Sequence, residues 1–484
     1  MMTAARSIPA YAWAEAQAEL PCSRPSRRAA SASNRSNALI AMVCIPVLWG
    51  MHSVESHAAD AAFQWDYPQS GASGFALYCG TTSTRSYSTR IDVGNVLSFA
   101  LPLSEEPVHF CAVRAYDAAR EESTFSNEVA VSLDKDTGAA ALLPPINVSA
   151  QGSVTPTATG FRAKFSLPFD SRQLNLFGSQ DGREGAADVT LVGATSGAVA
   201  GSLVLDADNQ GFTFLKTGGV LAPDTYTLTI ASRYDSFVDL FGRPLDGNGD
   251  GRSGDDYLFG DDYRLVFVVG PSNSPVLSIG EFARGPGQAV NLLASDSTAG
   301  IPVRISNGSS VRDVDFTLGY DPTLLSVLDV GLANASGTLT LKSIDEVAGL
   351  IHVHVANVTG LTDASTVLLR LQAQVPADAP YRSRHMLDLR DLKFNDGALT
   401  GRTDDGLQVV AYLGDTDADG KYSSFDALLI QRVSLRLDSG FSAFPLIDPI
   451  VLSDTNGNGR LESSDVLTMQ LKVLRRAVPE LPDF

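Results

Sequence analysis

A two-residue rhythm broken by turns constrains this chain more than any other feature. Segments such as "FALYCG", "HFCAVRAY", "DTYTLTI", "YRLVFVV" and "GLIHVHVANV" alternate apolar with polar or small side chains, and Gly, Pro, Asn and Asp interrupt them at short intervals. Alternation buries one face of each strand, and many short strands between turn residues build antiparallel sandwiches rather than helical bundles. At 484 residues the chain is too long for one core, so roughly three to five modules are expected at ordinary domain size. The expected fold class is mainly β, with tandem β-sandwich domains followed by a small α-helical module at the C-terminal end.

The formal net charge of −19 argues against nucleic acid as a partner, because phosphate binding rests on Lys and Arg. Acidity suits solubility outside cells and calcium binding. Basic residues gather at the start (Arg6, Arg24, Arg27, Arg28, Arg35), ahead of the apolar run "ALIAMVCIPVLWG", Ala38 to Gly50, and small residues at Ala58 and Ala59. The run is short for a membrane span, so residues 1–59 are expected to be a secretory leader and the protein secreted or at the cell surface. A second reading keeps the run as an uncleaved anchor, the one case in which a membrane is a partner. An internal start codon would account for the leader's length. Cys22 and Cys44 leave with it, and Cys79 and Cys111 remain as the even pair of an exported chain.

Residues 60–134 place Phe75, Leu77 and Cys79 on one strand face and His109, Cys111, Val113 and Ala115 on another. With Trp65 on an early strand and "AVRAYDAAREESTFSNEVAVSL" at the close, this stretch resembles a fibronectin type III domain. That resemblance makes the cysteine strands neighbours in one sheet and implies a disulfide between Cys79 and Cys111. His109 stands where that family has its corner tyrosine, and is expected to be a half-buried structural residue. After the linker "LLPPINVS", residues 146–270 resemble a bacterial immunoglobulin-like sandwich, through "LAPDTYTLTI" followed by "DLFGRPLDGNGDG". The turn "DGNGDGRSGDDY" offers Asp246, Asn248 and Asp250 as candidate calcium ligands, with Asp255 and Asp256 beyond; Tyr257 at position twelve excludes a loop-helix ligand set. The other reading is a solvated acidic turn. Residues 276–412, after "PSNSPVLS", resemble a cohesin domain through "VRISN" and "VDFTLGYDPTLLSV". Such a module is a jelly-roll-like sandwich that grips a dockerin on one sheet face. His352 and His354 share a strand face, but zinc needs three or four ligands and no Cys or clustered carboxylate accompanies them in sequence, so an exposed polar face is expected.

Near the C-terminus "DTDADGKYSSFD" is followed by "DTNGNGRLESSD", at an offset of 39 residues. In the first loop oxygens fall at positions 1, 3, 5, 7 and 12: Asp415, Asp417, Asp419, the Lys421 carbonyl and Asp426, with Gly420 at the sharp turn. The second repeats the pattern with Asp454, Asn456, Asn458, the Arg460 carbonyl and Asp465, around Gly459. Alternate oxygens, a glycine and a final carboxylate are what a hard cation needs, so two Ca2+ sites are expected. Each loop leads into a helix, "FDALLIQRVSLRL" and "SDVLTMQLKVLRRA", placing Leu428, Leu429 and Val433, then Val466, Leu467 and Leu471, at helical spacing. This duplicated half-hand resembles a type I-like dockerin over 414–476. In that family recognition leans on loop positions 10 and 11, here Ser424 and Phe425, then Ser463 and Ser464.

These modules point to a secreted, calcium-dependent, non-catalytic interaction or scaffold protein of cohesin-dockerin type. Its expected partners are cohesin- or dockerin-bearing proteins, including itself head-to-tail. Almost no linker separates residue 412 from Asp415, which makes docking of the dockerin-like plug into the cohesin-like socket of the same chain geometrically difficult. The alternatives are an accessory carbohydrate-binding component of a polysaccharide-degrading system, with polysaccharide as partner, and a surface adhesin. A nucleophile elbow, a phosphate loop and a metalloprotease helix are absent from the sequence. Loop one carries four carboxylates and loop two only two, with Glu462 as a candidate third. Asp415→Ala is therefore expected to unfold the C-terminal module more than Asp454→Ala does. Calorimetric calcium titrations and thermal melts of both variants check this, and equal losses of affinity count against it.

Overall fold

The computed structural model describes residues 41–46, 60–67, 71–82, 87–102, 108–133, 140–142, 147–148, 154–177, 185–249, 261–292, 299–333 and 336–481. The chain is mainly β. Among the described residues six sheets pair into three sandwiches, and three short α-helices follow.

In the first sandwich, a five-stranded sheet in the order Thr89–Gly94, Gly74–Gly80, His109–Tyr116, Val129–Leu133, Ala140–Leu142 faces a three-stranded one. Alternation turns Phe75, Leu77, Cys79, Cys111, Val113 and Ala115 inward against Phe63 and Trp65. Cys79 sits directly opposite Cys111 in the register and the two form a disulfide. His109 is half-buried. Ala41–Pro46, inside the stretch expected to be a removed leader, forms an antiparallel edge strand on Asp60–Asp66. Extended apolar chain beside an open strand edge pairs with its unused backbone groups. The remainder of 1–59 lies outside the described residues.

The second sandwich stacks two four-stranded sheets, spanning Val154–Thr157 to Tyr263–Val269. Its core is a phenylalanine cluster, Phe161, Phe165, Phe169, Phe212, Phe214 and Phe237, with ring centroids 5.2 to 5.9 Å apart. Aromatic rings in edge and offset contact add to the burial that drives this packing.

The third sandwich pairs a five-stranded sheet, in the order Ser326–Leu332, Thr366–Gln374, Ile301–Ser306, Val276–Ile279, Arg402–Asp404, with a six-stranded one. The latter runs Phe282–Arg284, Gly406–Val410, Arg384–Phe394, Val314–Gly319, Leu350–Thr359, Ser336–Asp345. Its first and last segments run parallel, and both cross from one sheet to the other together. The crossing works because a Cβ at Gly406 would lie 2.6 Å from the Gly280 carbonyl oxygen. A glycine lets the two backbones touch there.

The helices are α1 (Ser424–Ser434), α2 (Pro449–Ser453) and α3 (Ser463–Val473). The helical module packs against the side of its own chain. Ala427, Ile430, Val466 and Met469 share one apolar core with Leu407, Val409 and Ala283 of the third sandwich and Leu215 of the second. The connector between the loops supplies Phe441, Phe444, Ile447 and Leu452 to the same core, and Leu446 reaches into the second sandwich. Its backbone is stitched in as well: Leu176 N–H donates to the Pro445 carbonyl at 2.8 Å, and Leu203 N–H to that of Leu446 at 2.9 Å. The short linker seats the module beside the last sandwich strand. At this junction Lys216 stands among Glu281, Asp404 and Asp448, whose carboxyls burial pushes up, that of Asp404 to about 7.

Inside the third sandwich, His385 points inward beside Leu387 and Leu389 and pairs in register with Gln408. Burial pushes its imidazole down to about 4 from 6.5. A base held neutral in the fold protonates first in the unfolded chain, so its contribution destabilises the sandwich as pH falls from 6.5 towards about 4, by up to about 1.4 kcal/mol per pH unit. His385→Leu is expected to remove that acid sensitivity. Denaturant unfolding of both proteins between neutral and acid pH tests it, and parallel pH profiles would sink the idea.

Candidate functional site

The two loops share a set of turn and cap hydrogen bonds. Thr416 N–H donates to Asp426 Oδ1 at 2.9 Å, and Thr455 N–H to Asp465 Oδ1 at 3.0 Å. Gly420 N–H donates to Asp415 Oδ2 at 2.9 Å, and Gly459 N–H to Asp454 Oδ2 at 2.6 Å. Lys421 N–H and Arg460 N–H donate to the side-chain oxygens of Asp419 and Asn458. Gly420 and Gly459 both take φ 76°, the left-handed turn for which glycine is suited. The twelfth residue of each loop also caps its helix, with Ser423 N–H on Asp426 Oδ2 and Glu462 N–H on Asp465 Oδ2. A carboxylate there satisfies orphan donors and offsets the helix dipole. The repetition runs to the far end of the helices, where Arg436 and Arg475 close them at φ 57° and 55°.

Asp415, Asp417 and Asp419 bring one oxygen each within 4.8 Å of one another, the sole such cluster of metal-ligating groups among the described residues. Asp426 and Asp465 are fully buried and engaged by backbone donors. Asp415 is also fully buried, and its Oδ1 has no hydrogen-bond partner. A buried carboxylate oxygen left unpaired is costly, and a hard cation is the partner that the donor set fits. Burial, followed by repulsion from Asp426 and Asp417, pushes the Asp415 carboxyl up to about 6, and burial raises Asp426 and Asp454 as well. A bound divalent cation would reverse that trend by favouring the ionised form.

The loops differ in their surroundings. Loop one lies against the third sandwich, where the Tyr381 hydroxyl donates to Asp415 Oδ2 at 2.5 Å and accepts from Tyr412 N–H at 2.9 Å. Burial holds that phenol well above its ordinary value, so it stays a donor. In loop two Asp454 takes bonds from Gly457, Asn458 and Gly459 of its own backbone, and residues 456–460 are exposed.

At the other candidate sites, Asp246 is buried and accepts from Gly249 N–H at 2.7 Å, while Asp261 accepts from Gly247 and Asn248 N–H; Asp250, Asp255 and Asp256 lie outside the described residues. His352 and His354 face outward on the six-stranded sheet, as alternation requires. Carboxylates accompany them in space: His354 Nε2 meets Asp313 Oδ2 at 2.8 Å, and Asp315 stands 3.8 Å from His352 Nε2. Both aspartates come from the neighbouring strand region, a proximity that sequence separation concealed. His352 Nδ1 meets Thr317 Oγ1 at 3.0 Å, and Arg390 shares the surrounding concavity.

Ser424, Phe425 and Ser463 are exposed, and Ser464 is half-buried with its hydroxyl bonded to Glu462. The helices divide their apolar residues between two faces. Ala427, Ile430, Val466 and Met469 turn inward, whereas Leu428 (47 % exposed) and Leu467 (54 %) turn out, together with Leu435, Leu471 and Leu474. Leu428 and Leu467, like Leu435 and Leu474, occupy equivalent repeat positions. That offset was readable in the sequence; which face was inward depended on the sandwich beneath.

Residues 288–408 match the family model of the cohesin domain. No curated protein matches the chain. Among solved structures, the chain is similar to a type I cohesin-dockerin complex from Clostridium thermocellum, with 14 % identity, 29 % of this chain and 96 % of that chain covered, and a TM-score of 0.23. The sixth cohesin of scaffoldin B from Acetivibrio cellulolyticus, in complex with a Cel5 dockerin, shows 19 % identity over 28 % of this chain and 99 % of that one, TM-score 0.24. A type III cohesin from a cell-surface anchoring scaffoldin of Ruminococcus flavefaciens shows 16 % identity over 28 % and 87 %, TM-score 0.22. The family match thus falls within the third sandwich, whose outward His352 and His354 face the helical module leaves uncovered.

Proposed function

We propose that this chain is an exported, non-catalytic scaffold protein that joins partners through two surfaces. The cohesin match over 288–408 carries the reading. The receptor surface is the outer face of strands Val314–Gly319, Leu350–Thr359 and Ser336–Asp345, where Thr317, His352 and His354 stand among aspartates. Its partner is a dockerin-bearing protein.

The second surface is the calcium-folded, dockerin-like module. When bound, calcium neutralises the converging carboxylates that otherwise repel one another, so ion binding contributes folding free energy to both loops. Asp415, Asp417, Asp419, Asp426 and the Lys421 carbonyl would hold the first ion, and Asp454, Asn456, Asn458, Asp465 and the Arg460 carbonyl the second. The helices then present Phe425, Leu428, Leu435, Leu467, Leu471 and Leu474 outward. Apolar side chains held on a rigid helix face are suited to a cohesin-bearing partner, since a few buried anchors supply most of an interface's affinity. The other sandwiches act as spacers.

Two measurements test this reading. Chelator-treated chain is expected to take up two calcium ions by calorimetry, with the heat-induced melting of the helical module rising as calcium is added. Sedimentation of the chain with an isolated type I dockerin, and separately with an isolated type I cohesin, should show a complex, and the Leu428→Asp, Leu467→Asp double variant should weaken the cohesin complex at least about tenfold, the loss of roughly 1.4 kcal/mol or more expected of removed anchors. Absence of any complex with either module would overturn the scaffold reading.

A further inference from the structure

Loop one has a wall that does not belong to it. Tyr381 lies on the turn just before strand Arg384–Phe394 of the third sandwich, 34 residues away in sequence from Asp415, yet its hydroxyl donates to Asp415 Oδ2 at 2.5 Å. The same hydroxyl accepts from Tyr412 N–H at 2.9 Å, and the two tyrosine rings pack with centroids 5.6 Å apart. The turn is pinned in its own right, with Arg382 N–H on the Val410 carbonyl at 2.8 Å. Asp415 is fully buried, and its other oxygen, Oδ1, is without a partner. Oδ2 is thus held by Tyr381 from outside the module as well as by Gly420 N–H from within it, while Oδ1 is left for a ligand.

We propose that Tyr381 is a positioning residue for the first calcium ion, and that calcium in loop one therefore locks the helical module onto the third sandwich. The inference rests on the calcium reading above. A hydrogen bond to the ligating carboxylate fixes its orientation, and outer partners of this kind are worth about tenfold to a hundredfold in metal affinity. Because Tyr381 stands on the sandwich and Asp415 on the module, that gain is available when the two are seated together. Linkage makes the effect reciprocal: whatever seating adds to calcium affinity, calcium adds to seating. Loop two has its first carboxylate held by its own backbone, so its ion has no such coupling. The two sites of one duplicated motif then divide the work, one ion serving the junction and the other the module alone.

The test uses the full chain and calcium alone. The wild type is expected to show two sites by calorimetry, of which Tyr381→Phe weakens one about tenfold or more and leaves the other unchanged. Asp415→Asn identifies that one as loop one. In the unsubstituted chain, hydrogen exchange with calcium and with chelator should show calcium slowing exchange in residues 378–383 and 406–413, a readout that does not depend on how the variant folds. Two undiminished sites in Tyr381→Phe, or exchange in those sandwich segments indifferent to calcium, would overturn the proposal while leaving the calcium reading intact. A wild type that takes up no calcium at loop one would bring down both.

Discussion

One apolar junction holds the second sandwich, the third sandwich and the helical module together. Each carries side chains into it, and the connector residues Phe441, Phe444 and Ile447 fill the space between. Burying such side chains stabilises by about 1.5–3 kcal/mol each, enough to order a segment that has little regular structure of its own. Short duplicated loops with an 11-residue helix apiece bury too little surface to be robust alone, and the sandwich supplies what they lack. The direction in which α1 and α3 face follows from this: with Ala427, Ile430, Val466 and Met469 committed to the junction, the leucines at the alternate positions have only solvent or a partner to meet.

The legible part of the fold was the part governed by local periodicity. Alternation in "FALYCG" and "HFCAVRAY" turns Cys79 and Cys111 to the same face, the fibronectin type III resemblance is what made their strands neighbours, and the loop spacing is enough to locate every candidate ligand. Contacts set by tertiary packing were not legible. Leu428 and Ile430 are both apolar residues on one short helix, and nothing local says which meets the sandwich. Asp313 and Asp315 approach the two histidines across a strand pairing, and Tyr381 reaches Asp415 from another module altogether. The stretch "SGFSAFPLIDPIVLS" reads as a connector because glycine, proline and serine interrupt its pattern, yet its apolar residues were the sign that it would be buried.

Duplication followed by divergence explains the rest of the C-terminal region. The backbone geometry of the two loop-helix units agrees down to their positive-φ arginines, because cap and turn hydrogen bonds dictate it. The side chains differ all the same: Asn456 and Asn458 stand in loop two where loop one has Asp417 and Asp419, accepting the same turn hydrogen bonds without the charge, and Leu471 stands where the first helix has Arg432. Arg432 pairs with the buried Asp438 at 2.6 Å, tying the first helix to the connector, whereas Leu471 is left outward. The framework is symmetric and its chemistry is not.

The parallel pairing of Val276–Ile279 with Arg402–Asp404, and of Phe282–Arg284 with Gly406–Val410, has a mechanical meaning. These segments are where the chain enters and leaves the third sandwich. Tension applied through the neighbouring modules pulls the two strands past each other lengthwise, so their hydrogen bonds are strained together. A hairpin pulled at its open end gives way one bond at a time. The pairing therefore sets these hydrogen bonds in shear rather than in a zipper, and the same glycine crossing that lets the backbones touch is what puts the chain's entry and exit on adjacent strands.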